Sequence, residues 1–185
     1  MINTTTVADL LRARDDVAAA VAFEVDLGAG TEIVGAVEQA AYTSGPMLRI
    51  LVEKTLPKAP DSSSAAFAGV LVVDALPQAD DGSVDLAELR RLALERADEF
   101  RYTEPQGPLE EQLAALWERA LGCSRVGARD DFLELGGDSF AATTVIGEVE
   151  LQHGLRLDVF ELMDAATVRG LAELLVDRGV TPLAG

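Results

Sequence analysis

The sequence predicts an α+β chain: a small α/β unit of about three strands and three helices, then an all-α four-helix bundle. Three observations carry this prediction. Apolar runs before residue 100 have both strand and helix character. After residue 100 the apolar periodicity is almost wholly helical. Between them lies FRYTEPQGP, residues 100–108, whose two prolines and one glycine are linker chemistry. The expected division is a first domain over 1–100, a linker over 101–107 and a second domain over 108–185.

In the first half, residues 7–17 (VADLLRARDDV) carry apolar positions at helical spacing. Residues 18–27 run apolar with partial alternation through Phe23, Val25 and Leu27, and stop at GAG. Residues 31–40 alternate again, so the two runs predict an antiparallel pair joined by a glycine turn. Residues 44–57 predict a helix with Ser44 as cap, Pro46 in the first turn, and Leu48, Leu51, Val52 and Thr55 on one face. DSSSA, residues 61–65, is a loop, and residues 66–77 form a β-branched run suited to a buried strand. QADDGS is a turn, and residues 84–100 predict one helix with mixed charges outside.

The second half opens with a helix over 108–122. Pro108 takes a favourable first position, Gly122 follows its end, and Leu109, Leu113, Leu116, Trp117 and Leu121 make the inner face. A loop spans 123–138, and a second helix runs from Ser139 to about His153, presenting Ala142, Val145, Ile146 and Val149. DVFELM is a short third helix. Residues 167–179 form a fourth, capped by Thr167 and closed by Gly179.

Composition narrows the function. The apolar fraction of 49% argues for a folded chain, and the net charge of −17 disfavours nucleic acid and anionic membrane as partners. It favours docking onto basic protein surfaces. The single cysteine, Cys123, excludes an intramolecular disulfide, suits a reducing cytoplasm, and reads as an inert thiol. Zinc-ligand spacing is absent, and no metal is expected. The first residues lack a basic-then-apolar signal, and no apolar run approaches a membrane span. Met1 suits a free-standing protein, although a piece excised from a larger one reads the same.

The chemistry centres on Ser139 in DDFLELGGDSFAATTVIGEVE, residues 130–150. A free serine is a weak nucleophile and needs a base. The only histidine, His153, stands 14 residues away at the far end of the same helix, which is about 21 Å at 1.5 Å per residue. That rules out an internal triad, and no G-x-S-x-G elbow is present. What remains is a serine presented for another enzyme to modify. A helix start offers unpaired N–H groups and suits a phosphate, and Gly136 and Gly137 leave an approaching active site unobstructed. Position alone leaves open that Ser139 is only the helix cap.

Asp131, Phe132, Leu133, Glu134, Leu135, Gly136, Gly137, Asp138 and Ser139, with the flanking helices, resemble the motif D-x-F-F-x-L-G-G-[HD]-S-L of peptidyl carrier proteins from nonribosomal peptide synthetases. The resemblance covers residues 108–180 or so; Leu133 replaces an aromatic and Phe140 the usual leucine. It implies that Ser139, flanked by Gly136, Gly137 and Asp138, carries 4′-phosphopantetheine from coenzyme A. A phosphopantetheinyl transferase would attach the arm, whose thiol would bear an aminoacyl or peptidyl group. Other implied partners are an adenylation enzyme or domain and condensation, thioesterase or tailoring enzymes. Phe140, Val159, Phe160 and Met163 are a candidate apolar docking patch, with core packing as the alternative for Phe160 and Met163. The aspartate of G-G-D-S is a weak link to carriers that serve epimerisation domains.

The first half resembles the small C-terminal subdomain of adenylation domains, which ends in V-x-x-[LI]-P-L-T-x-N-G-K-[VL]-D. Leu76, Pro77, Gln78, Ala79, Asp80, Asp81, Gly82, Ser83, Val84 and Asp85 match that run, and the family's lysine falls on Ser83. A serine supplies no cation for an acyl-adenylate, and Asp80 and Asp81 add negative charge. The large ATP-binding core has no counterpart in these residues, so this half is expected to be degenerate and noncatalytic. Two rival readings stay open: the small half of a split adenylation enzyme fused to its carrier, and an acidic interaction protein whose Ser139 is never modified.

Overall fold

The computed structural model describes residues 3–28, 30–40, 42–56 and 65–180. It divides into two compact units, Met1–Arg101 and Tyr102–Gly185.

In the first unit, helix α1 (Thr4–Arg12) is capped by Asn3, whose side chain accepts from Thr6 N at 2.8 Å. Strands β1 (Val17–Asp26) and β2 (Thr31–Gln39) pair antiparallel, with Phe23 opposite Val34. Helix α2 (Gly45–Thr55) supplies the crossover that lets β3 (Ala66–Val73) pair parallel with β2. The sheet order is β1-β2-β3.

Both sheet faces are covered, which is why the middle of β2, residues 33–37, is buried without alternation. On one face, Val7 and Leu11 of α1 and Leu48 and Val52 of α2 pack with Ile33, Val37 and Val70. On the other, Leu89, Ala93 and Phe100 pack with Phe23, Val25, Val34, Ala36 and Leu71.

Several expectations for this unit are corrected: the first helix ends at Arg12, not Val17, and the third strand at Val73, not Pro77. The buried residues of α2 are Leu48, Arg49, Ile50 and Val52, while Thr55 is exposed and Leu51 half-buried. α2 lies against both β3 and α1, so burial covers more than one stripe. Arg49 is buried with Glu53 at 3.4 Å. The single helix expected over 84–100 is two, α3 (Leu86–Glu95) and α4 (Ala97–Phe100). The break falls at Arg96, whose guanidinium bonds the Val72 carbonyl at 3.2 Å and Glu99 at 2.7 Å. The turn brings Phe100 against Gly69, where a Cβ would collide with the Phe100 carbonyl. The unit therefore has three strands and four helices among the described residues. Of the expected 61–65 loop only Ala65 is described, and Pro57 also lies outside the described residues.

The second unit contains α5 (Gly107–Leu121), α6 (Ser139–His153), α7 (Val159–Ala165) and α8 (Val168–Asp177). α5 packs on α6 and α8, and α7 closes the bundle against α6 and α8. Leu113, Leu116, Trp117, Phe132, Val145, Val149, Leu162, Leu171 and Leu175 are buried, while Leu121 and Ile146 are half-buried. Thr167 caps α8 by accepting from Gly170 N at 3.0 Å. Arg169 of α8 pairs with Glu110 of α5 at 2.9 Å. Burial opposes it, but bonds from Arg169 and from Gln106 N hold the Glu110 carboxyl below its ordinary range.

The segment between the helices of the two units is held at both ends. Arg101 bridges to Gly69 and pairs with Glu32 at 3.0 Å within the first unit. The Thr103 carbonyl accepts from Ala128 N at 2.8 Å within the second.

Candidate functional site

The loop leading to Ser139 is built from alternate anchoring and projecting residues. The Asp131 carboxylate accepts from Leu133 N at 2.8 Å and Glu134 N at 3.1 Å, which starts a tight turn. Phe132 and Leu135 are buried, while Leu133 and Glu134 face solvent. Phe132 N donates to the Ala166 carbonyl at 2.8 Å, and its ring meets Trp117 edge-on at 5.0 Å. The loop partly desolvates Glu134, and Asp131 and Asp130 lie near, so its carboxyl is pushed above the usual range.

Gly136 takes a left-handed φ of 84° with open space around it. Gly137 has a different reason from the expected clear approach. Its N donates to the Phe132 carbonyl at 2.8 Å, and a Cβ there would strike the Phe132 ring. The glycine lets the turn close down on its own anchor.

Asp138, not Ser139, caps α6. Its Oδ1 accepts from Phe140 N at 3.0 Å and Ala141 N at 2.9 Å. Ser139 is the first residue of the helix and is exposed, so the reading of Ser139 as the cap is overturned. The expectation that the helix start lies open to a phosphate is corrected too, because the Asp138 carboxylate already holds two of its N–H groups. His153 ends the same helix, remote from Ser139.

Of the candidate docking residues, Phe140 is 81% exposed, Phe160 80% and Val159 38%. The core alternative for Phe160 is thereby excluded; Met163 is half-buried. Asp158 holds this helix in place through a capping box with Glu161. The sequence reading missed Leu133 and Leu151, both exposed. For Leu151 the signal was available in part: α6 carries apolar residues on both its buried and its open sides.

In the first unit, the run around Ser83 forms a small hairpin turn. Gln78 bridges Val84, and Ala79 N donates to the Ser83 carbonyl at 2.8 Å. The Asp81 carboxylate accepts from the Ser83 hydroxyl at 2.6 Å and from Ser83 N at 2.9 Å. These two bonds, the hydroxyl first, hold the Asp81 carboxyl below its ordinary range. Asp80 is exposed beside it.

Ser139 is thus exposed at a capped helix start within a four-helix unit. Residues 111–175 match the family described as "Phosphopantetheine attachment site". The isonitrile lipopeptide synthase of Mycobacterium tuberculosis is 43% identical over 108 residues, 58% of this chain and 4% of that protein. A plipastatin synthase polypeptide of Bacillus subtilis is 31% identical over 147 residues, 78% of this chain and 5% of that protein. The chain thus spans a small part of the length of the curated relatives it matches. The second alignment is longer than the second unit, so it extends into the first. A solved complex of the phosphopantetheine transferase Sfp with coenzyme A and a peptidyl carrier protein matches 42% of this chain. The match spans 100% of that chain at 32% identity, with a TM-score of 0.41. The similarity to the phosphopantetheine-attachment family thus falls within the second unit, over residues 111–175.

Proposed function

We propose that the chain is a carrier didomain of nonribosomal peptide biosynthesis, with Ser139 as the attachment point for 4′-phosphopantetheine. The observation that carries this is Ser139 itself, exposed at the first residue of α6 while Asp138 does the capping. The residues fit the group: the hydroxyl is not needed to cap the helix, and the space beside Gly136 is open. In the transfer, Ser139 Oγ forms the bond to a phosphorus of coenzyme A. The adenosine-bearing phosphate leaves, and the serine proton passes to a base of the transferase. Once attached, the arm's thiol holds an aminoacyl or peptidyl group as a thioester. Phe140, Val159, Phe160 and Met163 are the proposed grip for the transferase, for an adenylation enzyme or domain, and for condensation, thioesterase or tailoring enzymes.

The test is incubation with coenzyme A and a broad-specificity transferase, read by intact mass. The wild type gains one phosphopantetheinyl group and Ser139→Ala gains none. An unchanged wild-type mass overturns the reading, and a gain that persists in Ser139→Ala moves the site elsewhere.

The first unit is read as an adenylation-like subdomain without adenylating activity, since Ser83 gives its hydroxyl to Asp81 where the family has a lysine. We assign it a recruiting or solubilising role; equal loading and processing of residues 103–185 alone would remove that assignment. Its intact sheet keeps one alternative in play, the small half of a split adenylation enzyme. Carboxylate-dependent pyrophosphate exchange with a candidate core decides against us if it appears. The proposed domains are 1–100 and 108–185, joined through 101–107, working in the cytoplasm. Among the described residues no helix is long and apolar enough to cross a membrane.

A further inference from the structure

Resting on the reading of Ser139 as the attachment point, we propose that Asp138 is the positioning residue of this site. Its carboxylate closes the start of α6, which frees the Ser139 hydroxyl for transfer and keeps the attached phosphodiester off the helix.

A helix start attracts anions because its first N–H groups lack partners and point outward. Here one side chain takes two of those groups. The Asp138 carboxylate holds Phe140 N at 3.0 Å and Ala141 N at 2.9 Å, and the regular helical ladder begins with Ala142 N on the Asp138 carbonyl at 2.9 Å. Ser139 does no capping; its carbonyl accepts from the Thr143 hydroxyl at 2.8 Å. A phosphate bonded to Ser139 Oγ therefore meets a carboxylate where an anion would otherwise settle, and like charges at that range repel.

The neighbourhood reinforces this. Residues 130–152 hold six acidic side chains and no lysine or arginine. Asparagine caps as well as aspartate, and it would keep the bonds without the charge. Asp138→Asn thus separates the cap from the charge.

The experiment compares the wild type, Asp138→Asn and Asp138→Ala in the full chain, each treated with coenzyme A and the transferase. Intact mass gives the extent and rate of loading. Amide ¹H–¹⁵N shifts of Phe140 and Ala141 before and after loading report where the phosphate sits. In the wild type both amides should keep their positions on loading. In Asp138→Ala they should move downfield as the phosphate takes the vacated N–H groups. Loading should slow by about three- to tenfold in the alanine variant and stay within about twofold in the asparagine variant, which keeps the cap. Amides that move equally in the wild type and the alanine variant overturn the proposal, as does equal slowing in both variants. If the alanine variant does not fold, the wild type alone decides: downfield movement of both amides overturns the proposal. An absent mass gain on the wild type fails the carrier reading itself, whereas a gain with moving amides fails only the role of Asp138.

Discussion

Each unit carries an exposed serine in a turn with an aspartate just ahead of it, and the two aspartates do opposite things. Asp81 accepts the hydroxyl and the backbone N–H of Ser83, so that serine is engaged by its neighbour. Asp138 reaches past Ser139 to Phe140 N and Ala141 N, so that serine is spared. The difference comes from the residues next along the chain. After Ser139 a 15-residue helix begins, and its orphan N–H groups compete for the carboxylate. After Ser83 the chain turns back to pair Val84 with Gln78, and Asp85 caps the next helix instead. Whether the aspartate engages its neighbouring serine or reaches past it follows from which donors stand one step further along.

The comparison can be broken most severely through the Ser139 anchor. Phe132→Ala removes a buried ring that contacts Trp117 and seats Gly137. It should lower the stability of the second unit by about 3–5 kcal/mol, read by urea unfolding, with the first unit's transition unchanged. A milder insult is Gly137→Ala, whose methyl would enter the Phe132 ring. Overpacking of this kind should cost about 1–3 kcal/mol; an unchanged urea midpoint would show that the turn closes without this contact. The smallest effect lies at the first unit's tip. The Asp81 carboxyl is held low by Ser83, so the bond is present above the ordinary aspartate range and lost as pH falls through the lowered value. Ser83→Ala should raise the Asp81 pKa toward that range in a carboxyl NMR titration, and a titration that does not move would mean the bond is not made in solution.

How much of this could be read in the sequence depends on the range of the forces involved. The ends of α6, the Ser44 and Thr167 caps and the glycine after α5 were legible because caps are local chemistry. The Ser139 motif was legible as a resemblance. The burial of Arg49 was not, since it depends on α1 and β3 meeting α2 from two sides. Nor was the break at Arg96, where the Val72 carbonyl, 24 positions away, recruits the guanidinium. The capping exchange between Ser139 and Asp138 turned on a single residue: both are good caps, and only the backbone's entry into the helix decides between them.

Trp117 is the only tryptophan in the chain, and it is fully buried with its ring against Phe132. Phe132 in turn touches Gly137, two residues before Ser139. The protein thus carries an intrinsic optical probe one side chain away from the turn that presents its serine. Its emission reports the second unit alone, free of any signal from the first, and needs no label. Stopped-flow recording of that emission gives a way to test, in real time, whether the turn responds when coenzyme A and a transferase are added.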